Sequence, residues 1–212
     1  LAALGAELVL TPAKEGMNGA VNKSNALHAE IPGSIIAGQF VNPANPAVHR
    51  ATTAKEIMSD LDGKLDYFVA GVGTGGTISG VGEALKPLIP DLKVVAVEPA
   101  DSPLLSKGVA GSHKLQGIGA NFVPAVLDRA IIDDVIAVTT DEAYSSARLL
   151  GKTEGFTCGV SGGAALYAGE KILRAHRCTV FGNFFSVIPP ALCVDLAIFT
   201  VQNIAVNTCG AL

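Results

Sequence analysis

Apolar runs rich in β-branched residues alternate with stretches of helical periodicity from Leu1 to about Arg177. The runs Glu7 to Leu10, Ser34 to Ile36, Tyr67 to Ala70, Leu92 to Val97 and Ile131 to Val138 predict strands. Between them, Met17 to Glu30, Pro46 to Leu61, Ile78 to Leu88, Thr140 to Gly155 and Gly162 to Arg174 predict helices. Thr139 followed three residues later by Glu142 is a capping-box start for the fourth of these. Strands separated by whole helices cannot be hairpins. The pattern therefore predicts an α/β fold, a mostly parallel twisted sheet flanked by helices, with ligands at the carboxyl ends of the strands.

The pattern changes at Cys178. From there to Leu212 the one charged residue is Asp195, while three of the four cysteines and four of the eight phenylalanines fall in this segment. Val180 to Val201 is long enough to cross a bilayer, but Pro189-Pro190 would break the helix and Asn183 and Asp195 would meet lipid. A membrane span is therefore disfavoured. Leu1 to Gly5 reads as a last helical turn closed by glycine, as if the chain began within a domain, so a fragment is expected.

Composition narrows the function. With 49% hydrophobic and 16% charged residues, the 212-residue chain has the make-up of a packed protein rather than a disordered one. Fifteen basic against nineteen acidic residues, with no basic cluster, argue against nucleic acid. The cysteine spacings do not signal metal binding, and reduced thiols in a cytoplasmic setting are the simplest reading.

The segment richest in candidate chemistry is Tyr67 to Ile78. A strand enters a loop carrying Gly71, Gly73, Gly75 and Gly76 with Thr74 and Thr77, and a helix starts at once. Glycines let a ligand approach the backbone, and the leading amides of the helix attract an anion, most commonly phosphate. Each glycine weakens regular structure by roughly 0.5–1 kcal/mol; with no packing return visible in the sequence, a ligand is the expected compensation. Two phosphates fit. Gly71-x-Gly73-x-x-Gly76 followed 22 residues later by Glu98 matches a dinucleotide fingerprint with a ribose-binding acid, the pattern of an NAD-dependent oxidoreductase. A compact phosphate ester such as pyridoxal 5′-phosphate fits the same loop without a ribose contact.

A second loop, Cys158 to Ala164, places Ser161 just ahead of a helix, as a cap or as a ligand-facing hydroxyl. Gly159-x-Ser161-x-Gly163 has the form of a hydrolase elbow, but downstream of it the one histidine is His176, with Glu170 only six residues before it and Asp195 in the apolar segment, so hydrolysis is disfavoured. His28, His49 and His113 show no ligand or base spacing and read as ordinary histidines.

Six separated blocks decide among these readings: Gly5 to Leu10, Gln39 to Pro46, Gly71 to Thr77, Glu98-Pro99, His113 to Ala120 and Gly159 to Ser161. In that order they resemble the cysteine synthase (O-acetylserine sulfhydrylase) family of fold-type II pyridoxal-phosphate enzymes, over Leu4 to about Arg174. The resemblance implies that Gly73, Thr74, Gly75, Gly76 and Thr77 hold the cofactor phosphate and that Ser161 faces the pyridine nitrogen. It implies that Gln39 and Phe40 lie on the substrate-carboxylate side and that Gly117 and Gly119 line the pocket. The implied reaction is β-replacement, converting O-acetylserine and sulfide to cysteine and acetate. A hydroxyl at the pyridine nitrogen moderates the ring as an electron sink, which suits elimination.

Residues 1–50 are then a remnant of the smaller substrate-side domain, 51–177 the larger cofactor-binding domain, and 178–212 an aberrant apolar tail. The implied partners are small-molecule substrates, a second copy of the chain, and a serine acetyltransferase C-terminal peptide, which a non-catalytic remnant would still bind. The family's Schiff-base lysine, in a Ser-x-Lys-Asp-Arg-like context, has no counterpart here, nor does its Ser/Thr-Gly-Asn-Thr-Gly-like substrate loop. Lys114 is nearest in context but aligns with the pocket turn. Cofactor binding without turnover is expected.

Overall fold

A computed structural model describes residues 1–175 and the backbone of residues 196–199. In chain order the elements are α1 (Gly16–Glu30), α2 (Ala44–Ala51), α3 (Thr53–Asp60), β1 (Tyr67–Gly71), α4 (Gly76–Leu85), β2 (Lys93–Pro99), α5 (Leu104–Lys107), β3 (Asp134–Val138), α6 (Thr140–Thr153), α7 (Val160–Ala175) and β4 (Leu196–Phe199). They divide into two compact units, Leu1–Gly38 and Gln39–Leu212.

The larger unit is the α/β body. Its sheet runs in the order β3-β2-β1-β4. β1 and β2 pair in parallel from Tyr67↔Lys93 to Gly71↔Val97, and β2 and β3 in parallel from Val95↔Asp134 to Pro99↔Val138. β4 closes the edge beside β1 in the antiparallel sense, Tyr67↔Phe199 to Ala70↔Leu196. The rest of the apolar segment beginning at Cys178 lies outside the described residues, with its three cysteines. Among the described residues no helix is long and apolar enough to cross a membrane.

Alternation along the strands sorts side chains into two cores. Phe68, Ala70, Val94 and Ala96 face Ile57 of α3 and Ile78, Val81 and Leu85 of α4. Val69, Val95, Val97, Ile136 and Val138 face Ala143 of α6 and Ala164 and Ala168 of α7. The strands are apolar on both faces because helices cover both. The capping box forms as expected: Thr139 Oγ1 accepts from Glu142 N, and Glu142 Oε2 accepts from Thr139 N at 2.8 Å.

In the larger unit two expected elements differ. The helix expected over Pro46 to Leu61 is two helices, because Thr52 Oγ1 donates to Val48 O at 2.8 Å while its backbone leaves helical geometry at φ −121° and ψ −71°. The strand expected from Ile131 begins only at Asp134. Arg129–Ile131 instead form a 3-10 turn capped by Asp128, and the Asp133 carboxylate accepts from Val94 N at 2.7 Å and pairs with Lys86 at 2.8 Å.

In the smaller unit, Glu7 to Leu10 and Ser34 to Ile36 are not strands. A strand needs a neighbour to complete its ladder; Val9 and Ser34 to Ile36 instead line one cleft of about 240 Å³ with Leu27 of α1 and Ile31 just beyond its end. Leu10 and Ile35 remain 89% and 91% exposed. The glycine-closed first turn is present as a 3-10 turn, Ala2–Leu4, with Gly5 left-handed at φ 84°.

Candidate functional site

The loop between β1 and α4 lies at the carboxyl end of a central strand, and residues from distant parts of the larger unit converge on it. Thr74 Oγ1 accepts from Gly76 N at 3.2 Å and from Asn45 Nδ2 at 2.9 Å. Asn45 Nδ2 also donates to Gln39 O at 2.9 Å, tying the Gln39-Phe40 segment to the loop. Phe40 is held from the other side, its carbonyl accepting from Val126 N at 3.2 Å and its ring meeting Phe122 edge-on at 4.9 Å. The Gly117-Ile118-Gly119 turn closes over the strand end, with Gly119 N donating to Val72 O at 2.9 Å. Both glycines of this turn are left-handed, at φ 98° and 70°, which requires glycine or strains any other residue.

The loop glycines have packing reasons that the sequence does not show. A Cβ on Gly73 would strike the Gly117 carbonyl, and one on Gly76 would strike the Asn45 side-chain amide. Gly75 is left-handed at φ 84° and stands 2.7 Å, measured from its missing Cβ, from Leu127 Cδ1. The expectation that only a ligand compensates these glycines is therefore corrected: their partners come from Asn45, Gly117 and Leu127, far away in sequence. This close packing is also what brings the Gln39, Gly73 and Gly117 segments into one site.

Thr77, in the first turn of α4, meets His49 Nε2 through Oγ1 at 3.3 Å, and His49 Nδ1 meets Thr53 Oγ1 at 2.9 Å. Burial holds His49 below its ordinary pKa, so the ring is neutral at pH 7. His113 Nε2 donates to Gly119 O at 2.7 Å, while its Nδ1 is buried without a hydrogen-bond partner among the described residues. From the sequence both histidines read as ordinary and Asn45 has no assigned role. The available signal was the spacing of Asn45 and His49, four residues apart on one face of a helix.

Ser161 is 3% exposed and lies within the first turn of α7, two residues beyond the N-cap position at Gly159, so it does not cap that helix. Its helix belongs to the layer on the other face of the sheet from α4. Gly163, two residues on, lies so close to α6 that a Cβ would strike the Ala143 carbonyl.

Glu98 does not fit a ribose-binding role. It is 2% exposed, and its carboxylate accepts from Leu105 N at 2.6 Å, Ser106 N at 3.2 Å and the Ser106 hydroxyl. It caps α5 beside a cavity of only about 20 Å³ shared with Gly73, Gly119 and Phe122. With its oxygens occupied inside the protein, the NAD-dependent reading loses its acid.

The residues present fit a compact phosphate ester. Both acceptor positions of the Thr74 hydroxyl are filled, leaving its proton to donate, and the first turn of α4 provides the accompanying helix N-terminus. Comparison with known proteins agrees. Residues 1–179 match the family described as pyridoxal-phosphate dependent enzyme. Cysteine synthase B of Campylobacter jejuni is 52% identical over 170 residues, which is 80% of this chain and 56% of that protein. The crystal structure of a cysteine synthase from Entamoeba histolytica superposes with a TM-score of 0.76 at 44% identity, covering 81% of this chain and 51% of that one. An O-acetylserine-dependent cystathionine beta-synthase from Helicobacter pylori gives 0.76 at 41% identity, covering 82% and 56%. The chain thus spans about half the length of the relatives it matches. The parallel sheet, the phosphate-type loop with its converging segments and these likenesses have one common explanation: the chain belongs to the pyridoxal-phosphate-dependent enzyme family, in its cysteine synthase-like, fold-type II branch.

Proposed function

We propose that this chain carries the phosphate side of a site for cysteine synthase-type β-replacement, with O-acetylserine and sulfide as substrates and cysteine and acetate as products. The observation that carries the reading is the convergence of the Gln39-Phe40 segment, the Gly73 to Thr77 loop and the Gly117 to Gly119 turn, joined through Asn45, Val72 and close glycine packing. Thr74, Thr77 and the backbone from Gly73 to Thr77 bind the phosphate of pyridoxal 5′-phosphate, and Ser161 faces its pyridine nitrogen. Gln39 and Phe40 orient the substrate carboxylate, while Gly117 and Gly119 keep the pocket wall close to the reacting groups. When bound, the cofactor supplies an electron sink that stabilises negative charge developing on the substrate.

The protein's part is positional and electrostatic: donors held in place before the ligand arrives need no rearrangement to neutralise it. No lysine of the chain stands in the family's Schiff-base context, so for these 212 residues we propose cofactor binding without turnover. The reading includes residues 1–50 as part of a substrate-side domain and 51–177 as the cofactor domain. It further includes self-association, a serine acetyltransferase C-terminal peptide as partner, and a cytoplasmic setting.

The test is titration of the purified chain with pyridoxal 5′-phosphate, with inorganic phosphate as competitor, followed by borohydride reduction, peptide mapping and an assay for cysteine. Saturable, phosphate-competed binding with neither a fixed lysine nor product is expected. Absence of binding overturns the site, whereas one stoichiometrically labelled lysine together with cysteine formation overturns the lack of turnover.

A further inference from the structure

We infer that Asn45 is a positioning residue that fixes the direction of the Thr74 hydroxyl, making it an obligate donor to a phosphate-bearing ligand; this rests on the phosphate reading of the loop. A threonine hydroxyl has two acceptor positions and one proton. Here the Gly76 amide, at 3.2 Å, and the Asn45 carboxamide, at 2.9 Å, each donate to Thr74 Oγ1. With both acceptor positions filled, the proton must point away from these donors. A freely rotating hydroxyl can present lone pair or proton to its surroundings, and before a phosphate the lone pair is repulsive. Asn45 removes that choice in advance.

The geometry is over-determined in a way that suits this task. The same Nδ2 group donates to Gln39 O at 2.9 Å, so both protons of the carboxamide are assigned and the amide cannot rotate without losing both bonds. The Oδ1 end lies against Gly76, where a side chain of any size would displace it. Gly76 thereby serves twice, admitting the carboxamide and presenting its own N–H to Thr74. One consequence concerns the helix: the Gly76 amide at the start of α4 donates to Thr74 Oγ1, and the threonine proton adds a donor at the ligand. Another concerns specificity. A donor fixed in this way favours an acceptor-rich group such as a phosphate ester over a ligand presenting a donor at that point.

The experiment is a double-mutant cycle on the full chain, measuring the dissociation constant of pyridoxal 5′-phosphate by absorbance titration. Asn45→Leu keeps the branched outline of the side chain and removes both donors; Thr74→Val removes the hydroxyl and keeps the shape. Each single change is expected to weaken binding about three- to tenfold, the range of one neutral hydrogen bond. Adding Asn45→Leu to Thr74→Val should then cost nothing further, and the ³¹P resonance of the bound ester should move in the same direction in both single variants.

Wild-type affinity in Asn45→Leu, with the wild type binding normally, overturns the inference while leaving the phosphate site standing. An equal loss on adding Asn45→Leu to either background overturns it too, since Asn45 would then act on loop shape rather than through Thr74. If the wild type binds no phosphate ester, the loop reading falls first and the inference with it. Thermal melting of the ligand-free variants identifies a folding defect, and Asn45→Ala repeats the cycle should Asn45→Leu fail to fold.

Discussion

Replacing Glu98 separates the two readings that its sequence position supports. In the structure its carboxylate receives two backbone amides, Leu105 N at 2.6 Å and Ser106 N at 3.2 Å, together with the Ser106 hydroxyl. A hydrogen bond to a charged group contributes about 1.5–3 kcal/mol net. The hydroxyl can turn to another acceptor, so Glu98→Ala chiefly strands the two amides, an upper figure of about 3–6 kcal/mol from that range. These amides are only partly buried and water can reach the opened site, which lowers the expected loss to about 2–4 kcal/mol. Glu98→Gln retains a neutral acceptor and should lose about 1 kcal/mol. For a chain of this size each kcal/mol lowers the melting temperature by about 2–4 °C, so the alanine variant should melt roughly 5–15 °C lower. Circular dichroism melts and urea titrations, read together with an NADH titration of the wild type, provide the measurement. An alanine variant within about 0.5 kcal/mol of wild type would refute the capping argument. Saturable NADH binding lost with Glu98 would restore the dinucleotide reading.

Other perturbations test the packing and the electrostatics. Gly163→Ala drives a methyl group into the Ala143 carbonyl and to within 2.8 Å of Ala147 Cβ; prising α7 from α6 should cost about 1–3 kcal/mol in urea unfolding, and an unchanged midpoint would contradict the close approach. Thr139→Ala removes the cap of α6, whose hydroxyl meets both Glu142 N and Glu142 Oε2; a loss of about 1 kcal/mol is expected by thermal melting. His49 binds its proton less readily in the folded state than its ordinary value of 6.5 allows, because burial penalises the charged ring. The unfolded chain therefore carries more protons below pH 6.5, and stability should fall as the pH drops from there, levelling once the folded-state pKa is passed. Comparing the pH dependence of wild type with His49→Gln isolates this term from the carboxylates that titrate lower; parallel curves would exclude it.

What the chain declares locally, it declares well. The continuous apolar runs of Tyr67 to Ala70 and Leu92 to Val97, the helical periods that follow them, and the capping pair Thr139 and Glu142 specify the parallel core of the sheet, because each depends on near neighbours in sequence. The motif blocks likewise indicate the family, over the region where relatives match.

Other features depend on groups distant in sequence and are decided only by packing. Glu7 to Leu10 has the composition of a strand but no ladder partner among the described residues. Glu98 has the spacing of a ribose acid, yet the amides of α5 fold back to claim it. The glycines between Gly73 and Gly76 suggest a ligand from sequence alone; the fold adds Gly117, Leu127 and Asn45 as the groups that need the space. Asn45 and Thr74, 29 residues apart, acquire a joint role only when α2 is laid against α4. Local patterning can specify which backbone conformation a segment prefers, but the direction of a hydroxyl proton or the partner of a buried carboxylate is set by whichever donors the tertiary fold delivers to it.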